Sequence, residues 1–177
     1  MREIIELLEA KKTLELKRLP YSHSSLAPVL TQDNIDFHYG KLARGYVDRF
    51  NRGEGDKTFN EAGAFLHNTL FPQFRAPKNG NAPRGKILDL INRHHTSWVD
   101  FKKHFEEEAL KVQGSGWIYL SKSGQIKTIK NHAKRTDIAL LVDMWEHSYQ
   151  NDYHSDKGKY IENLWRIMNW DAINSRL

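Results

Sequence analysis

The chain of 177 residues is long enough for one or two compact units with a real core, and its 39% apolar and 11% aromatic content excludes a disordered tract. It contains no cysteine, which excludes disulfides, thiolate nucleophiles and Cys-ligated zinc or iron–sulfur sites, so any metal must sit on His, Asp, Glu or Asn. Lys and Arg exceed Asp and Glu by 27 to 22, a net charge of +5 that favours an anionic partner, and no apolar run approaches the roughly 18 residues of a membrane span. The basic residues are spread rather than blocked, which argues against a dedicated nucleic-acid domain, and a cytoplasmic location with no membrane partner is expected.

Ile4, Ile5, Leu7 and Leu8 predict a short amphipathic helix over Met1–Lys12, and the prolines and serines of Leu19–Pro28 predict extended chain and turns. Helical spacing of Ile35, Leu42, Tyr46, Val47 and Phe50 covers Asn34–Asn51; a glycine-containing connection at Arg52–Lys57 leads to a second helix over Phe59–Phe71, ended by Pro72. Two helices so joined predict an antiparallel hairpin. The stretch from Pro72 to Pro83 reads as a linker. Beyond it, helices are expected over Arg84–Arg93 and Trp98–Lys111, a β-hairpin over Trp117–Lys122 and Gln125–Ile129 around Gly124, a strand over Ile138–Met144, and a last helix over Lys157–Trp170. The fold class is α+β: an extra helix in residues 1–13, a helical hairpin in 14–76, and an α/β unit with a small antiparallel three-stranded sheet in 77–177.

Chemistry concentrates in Asp143-Met144-Trp145-Glu146-His147, where a carboxylate leaves an apolar strand and an imidazole follows four residues later. The two can converge on one cation, or be no more than a salt-bridged Asp and a surface His. His23, His94, His95, His104 and His154 read as surface or capping residues.

The run LLVDMWEHSYQNDY (140–153) followed by YIENLWRIMNW (160–170) resembles the C-terminal signature of the iron/manganese superoxide dismutase family. The resemblance continues in family order through LPYSHSSLAPV (19–29), FHYGK (37–41), Tyr46-Val47, FNEA (59–62) and GSGWIYL (114–120), covering roughly Leu14 to Leu177. It implies a helical hairpin and a C-terminal α/β domain that each give two ligands, three His and one Asp, to iron or manganese, which dismutes the superoxide anion. It further implies that His38, Asp143 and His147 are ligands, that Tyr46 is the gateway tyrosine, and that Glu146 bridges to a ligand His across a homodimer. Trp117, Trp145 and Trp165 match its aromatic packing positions, and His132 matches the outer-sphere donor.

Departures accompany the resemblance. Ungapped alignment from Phe59 to Pro77 sets Asn68 at the second hairpin ligand, with His67 beside it but about 100° around the helix, where it would need a bulge or register change. Leu42 replaces a channel His, Gln150 its Tyr partner, Pro72 a pocket-lining Trp, and Ala64 a Gln of iron enzymes. The expected metal set is therefore His38, Asn68, Asp143 and His147, giving dismutation through a weakened site. The alternative is a catalytically decayed structural subunit of a larger assembly, such as a ribosomal or viral particle, with protein or RNA neighbours.

Overall fold

The computed structural model describes residues 12–177, and the helix expected over Met1–Lys12 lies outside that range except for its last residue. The hairpin begins with α1 (Gln32–Phe37), capped by the Thr31 side chain, and runs without a break through a π turn (His38–Ala43) into α2 (Arg44–Arg52). Gly53 closes α2 at φ 72°, a left-handed conformation that suits glycine, and Asp56 caps α3 (Lys57–Leu70) through the Phe59 amide. Pro72 does end α3, within a single 3₁₀ turn (Phe71–Gln73).

The π turn positions the site. Residues eight apart in a regular α-helix end about 80° out of line, but absorbing one extra residue brings them back onto one face. His38 and Tyr46 stand in this relation across the turn, and both are buried beside the same ring, His67.

In the second half, α4 (Lys86–His94) and α5 (Trp98–Leu110) precede the antiparallel sheet of β1 (Gly116–Ser121), β2 (Ile126–Lys130) and β3 (Ile138–Asp143), ordered β2-β1-β3. β1 and β3 are buried on both faces, which explains their unbroken apolar runs, and their register sets Trp117 opposite Asp143. The hairpin turns at Gly124 (φ 82°), where any side chain would strike the His94 ring.

Helix α6 (Glu146–Tyr153) follows, then α7 (Lys157–Leu164), a 3₁₀ turn (Trp165–Ile167) and α8 (Trp170–Asn174). The single helix expected over Lys157–Trp170 is thus two pieces. Its interruption has a backbone cause: Arg75 N–H donates to Ile167 O, Lys78 N–H to Arg166 O and Asn169 N–H to Gln73 O, while the Asn169 side chain starts α8. These bonds also tie the stretch expected as a linker to the C-terminal segment, with Phe74 bridged to Met168. No helix among the described residues is long and apolar enough to cross a membrane.

Candidate metal centre

Four side chains meet where the hairpin packs on the end of β3: His38, His67, Asp143 and His147 each present one ligand atom, all within 4.8 Å of one another. His38 Nε2 lies 3.2 Å from Asp143 Oδ2 and 3.1 Å from His67 Nε2; His147 Nε2 lies 3.2 Å from Asp143 Oδ2. Bonds of roughly 2.1 Å at right angles to one cation give ligand–ligand edges of about 3 Å, so the set fits a single ion. Three imidazoles and one carboxylate also suit the nitrogen and oxygen preferences of iron and manganese.

Two of the four candidate ligands, His67 and Asp143, are held by partners beyond the cluster. His67 Nδ1–H donates to Gly63 O at 2.7 Å, which fixes the tautomer and leaves the Nε2 lone pair facing the cluster. Asp143 Oδ1 accepts the Trp145 amide at 2.8 Å, leaving Oδ2 for the cluster, and the Asp143 carbonyl is held by Ser148 and Tyr160 hydroxyls. Burial pushes His38 and His67 below the ordinary histidine range, so both imidazoles stay neutral and can donate lone pairs. Burial would raise Asp143, but the neighbouring His147 and His38 outweigh it and hold the carboxylate ionised.

The correction to the sequence reading is at Asn68, which is not in the cluster. Its Oδ1 accepts the Lys17 amide at 2.7 Å and its Nδ2 donates to Glu15 O at 2.8 Å, so it clamps the chain before the hairpin. His67 takes the inward position without any bulge, because α3 is regular throughout and its buried stripe runs Asn60, Gly63, Ala64, His67, Leu70. The same one-residue offset relocates two further departures. Phe71, not Pro72, lines the site, its ring 5.0 Å from His38; Gly63, not Ala64, faces Tyr46, where a Cβ would come within 2.8 Å of the ring. The ungapped alignment was one residue out of register, and the i, i+3, i+4, i+7 stripe was the signal that could have revealed it.

Tyr46 and His132 are brought together beside the ligands. Trp117 Nε1–H can only donate, so His132 Nδ1 is the acceptor at 3.1 Å and His132 Nε2–H donates to Tyr46 Oη at 2.8 Å. Burial lowers His132 to about 4, consistent with this neutral form. Burial, reinforced by the Asp143 charge, raises Tyr46 to about 12, so its hydroxyl keeps its proton, and that proton is free to point away from His132. Trp145 stacks on His132 with ring centroids 4.5 Å apart, and Trp117 packs edge-on against His67. Trp165 instead joins Trp98 and Phe105 in the core of the second half. Leu42 is half-buried, whereas Gln150 and Glu146 are exposed in this single chain.

Two family models match the chain: iron/manganese superoxide dismutases, alpha-hairpin domain, over residues 13–65, and the C-terminal domain of the same enzymes over 83–176. Among curated relatives, a superoxide dismutase [Fe] of Bacteroides fragilis is 34% identical over 93% of this chain and 100% of its own length. A superoxide dismutase [Mn/Fe] of Porphyromonas gingivalis is 34% identical over 93% and 99%. A superoxide dismutase [Fe] of Pyrobaculum aerophilum is 32% identical over 94% and 92%. With both halves matched and the His/Asp cluster assembled where they meet, the chain belongs to the iron/manganese superoxide dismutase family.

Proposed function

We propose that the protein dismutes superoxide, 2 O₂•⁻ + 2 H⁺ → O₂ + H₂O₂, using iron or manganese held by His38, His67, Asp143 and His147. The observation that carries this reading is the convergence of those four ligand atoms within 4.8 Å. Bound iron or manganese supplies the one-electron exchange that oxidises one superoxide and reduces the next. The protein's part is charge and protons. Asp143 is the one anionic ligand, so the loaded shell stays cationic and attracts a small anion, assisted by the net charge of +5.

The reduced product requires two protons. Tyr46, kept protonated by burial, is the donor nearest the ligands, and the Trp117–His132 pair fixes its orientation. Leu42 carries no exchangeable proton, so within the chain resupply rests on the Tyr46–His132 pair. His67 beside His38, with Asn68 turned to residues 15–17, supports an intact three-His, one-Asp shell over a site weakened at Asn68 and over a decayed scaffold. The weakness left to this site is proton resupply.

Glu146 is exposed, and among the described residues His147 Nδ1 finds no acceptor within the chain. This supports a homodimer in which the partner subunit's Glu146 accepts from His147 across a two-fold axis. Metal analysis with a dismutation assay tests the activity: near one Fe or Mn per chain with turnover is expected, and metal-loaded protein without turnover would refute it. Light scattering tests the dimer, which a monomer at micromolar concentration would exclude.

A further inference from the structure

Two hollows on the surface differ in how their charges are matched. In one, of about 800 Å³ beside β2, Lys127 pairs with Asp137 at 3.1 Å and Lys134 with Glu61 at 3.6 Å, Glu108 adds another carboxylate to the lining, and Arg135 is shared with the second hollow. The other, of about 470 Å³, lies between the end of α3, the segment leading into β3 and α8, and its charged lining is Lys17, Lys122, Arg135 and Arg176 with no acid. Among the described residues none of these four makes an ion pair.

Arg176 is fixed rather than loose. Its Nη1 donates to Gln73 Oε1 and Ala139 O, both at 3.0 Å, and its Nη2 donates to Thr69 O. All three acceptors are neutral, so the guanidinium is positioned but not neutralised. Burial lowers its pKa to about 10, and it remains charged at neutral pH. A neighbouring hollow of about 410 Å³ shares Lys122 and Arg176 and adds Lys86 and Arg93, with Asp89 as its one acidic side chain. Cations from five separate parts of the chain therefore line two adjoining hollows that share Lys122 and Arg176, a basic band with one acidic side chain among them.

We propose that this band is a binding site for a small anion carrying several phosphates, the chemistry shared by inorganic oligophosphates and nucleoside triphosphates. A single phosphate would engage one hollow; a chain of phosphates spans both and meets the pre-positioned Arg176 where they join. Each hollow is within the roughly 300–1,000 Å³ typical of small-ligand sites. Asn68 and Thr69 line the band from the side of α3 away from His67, so the ligand stays outside the metal shell.

Calorimetric titration of the metal-loaded protein with tripolyphosphate tests this, with metal content checked afterwards. Saturable one-to-one binding is expected, weakened at least about tenfold by Lys122→Glu and by Arg135→Glu. Lys103→Glu, the same charge change at an exposed site on α5, should alter it less than about twofold. Equal weakening by all three, or no saturable binding, would overturn the proposal by reducing it to net charge. A parallel ATP titration separates the sources: affinity at least about tenfold above tripolyphosphate, with the same variant dependence, assigns a nucleotide; weaker ATP binding assigns an inorganic chain. Hydrogen exchange on the unmutated protein gives a readout independent of variant folding. Slowed exchange in residues 68–74, 134–139 and 172–177 is expected, and protection confined to 143–150 would place the anion on the metal shell and overturn it.

Discussion

Asp143 and His147 reach the cluster from the end of a strand and the first turn of the next helix, four residues apart, whereas His38 and His67 come from two helices and meet across 29 residues of chain. The first pair is set by local backbone alone: once β3 ends and α6 begins, few other placements exist. The second pair depends on the rotation of two helices about their own axes, and an error of one residue turns a side chain by about 100°. Placement by sequence is therefore secure for Asp143 and His147 and fragile for His38 and His67, and variants of the hairpin residues carry the larger expected effects.

The largest effect is expected at His67. Replacing it with Ala removes the imidazole that faces His38 Nε2 and Asp143, so metal should fall from near one atom per chain to under about a tenth, given that even outer partners are worth 10- to 100-fold. His147→Ala should do the same. Asn68→His should leave metal content unchanged, because Asn68 faces residues 15–17. Metal analysis of the three variants decides the matter: a rise in metal with Asn68→His would restore the ungapped register.

The legible part of the molecule was the part with local signals. The strand ending in Asp143, the Gly124 hairpin and the two hairpin helices were read from periodicity and turn chemistry, and the family motifs named His38, Tyr46, His132, Asp143 and His147. Three things were not. The offset in α3 is hidden because Asn68 and His67 are adjacent and an ungapped match carries no mark of a one-residue shift. The break at Met168–Asn169 is not legible because its cause is backbone pairing with Gln73–Lys78, far away in sequence, and helical spacing carries no trace of such a partner. The π turn escaped because it changes the face of everything after it without changing composition.

Tyr46 provides the next effect in size. Tyr46→Phe keeps the ring that packs on Gly63 and His67 but removes the hydroxyl, so metal should stay bound while the proton-dependent part of turnover falls by about 10²-fold. Stopped-flow decay of superoxide over a range of pH checks this. Unchanged turnover would mean that protons arrive by another route, and the contrast between ligand-holding and proton-holding residues would blur.

His132 tests the same contrast through pH. Its folded pKa of about 4 lies below the 6.5 of an unfolded histidine, so between those values the unfolded chain binds more protons. Its contribution to stability is present above pH 6.5 and is lost as pH falls toward 4, an amount on the order of 3 kcal/mol. His132→Gln, which can still accept from Trp117 and donate to Tyr46, should flatten that part of the acid limb in metal-free protein, as read by denaturant unfolding at pH 4.5 and 7.5. An identical limb in the variant would show that His38 and His67, also pushed down by burial, account for the whole of it.

Asn68→Ala should have the smallest effect, and its smallness is informative. The side chain makes two hydrogen bonds to backbone, accepting from Lys17 N–H and donating to Glu15 O, in a partly exposed setting where water can replace either. A loss of about 1 kcal/mol is expected, which in a domain of this size lowers Tm by roughly 2–4 °C. Metal content and turnover should be those of the unmutated chain, because the ring that faces the cluster is His67, about 100° around α3 from Asn68. Thermal unfolding paired with metal analysis separates the outcomes: a modest Tm shift at full occupancy fits a clamp that holds the segment before the hairpin, whereas loss of metal at unchanged Tm would make Asn68 a ligand after all.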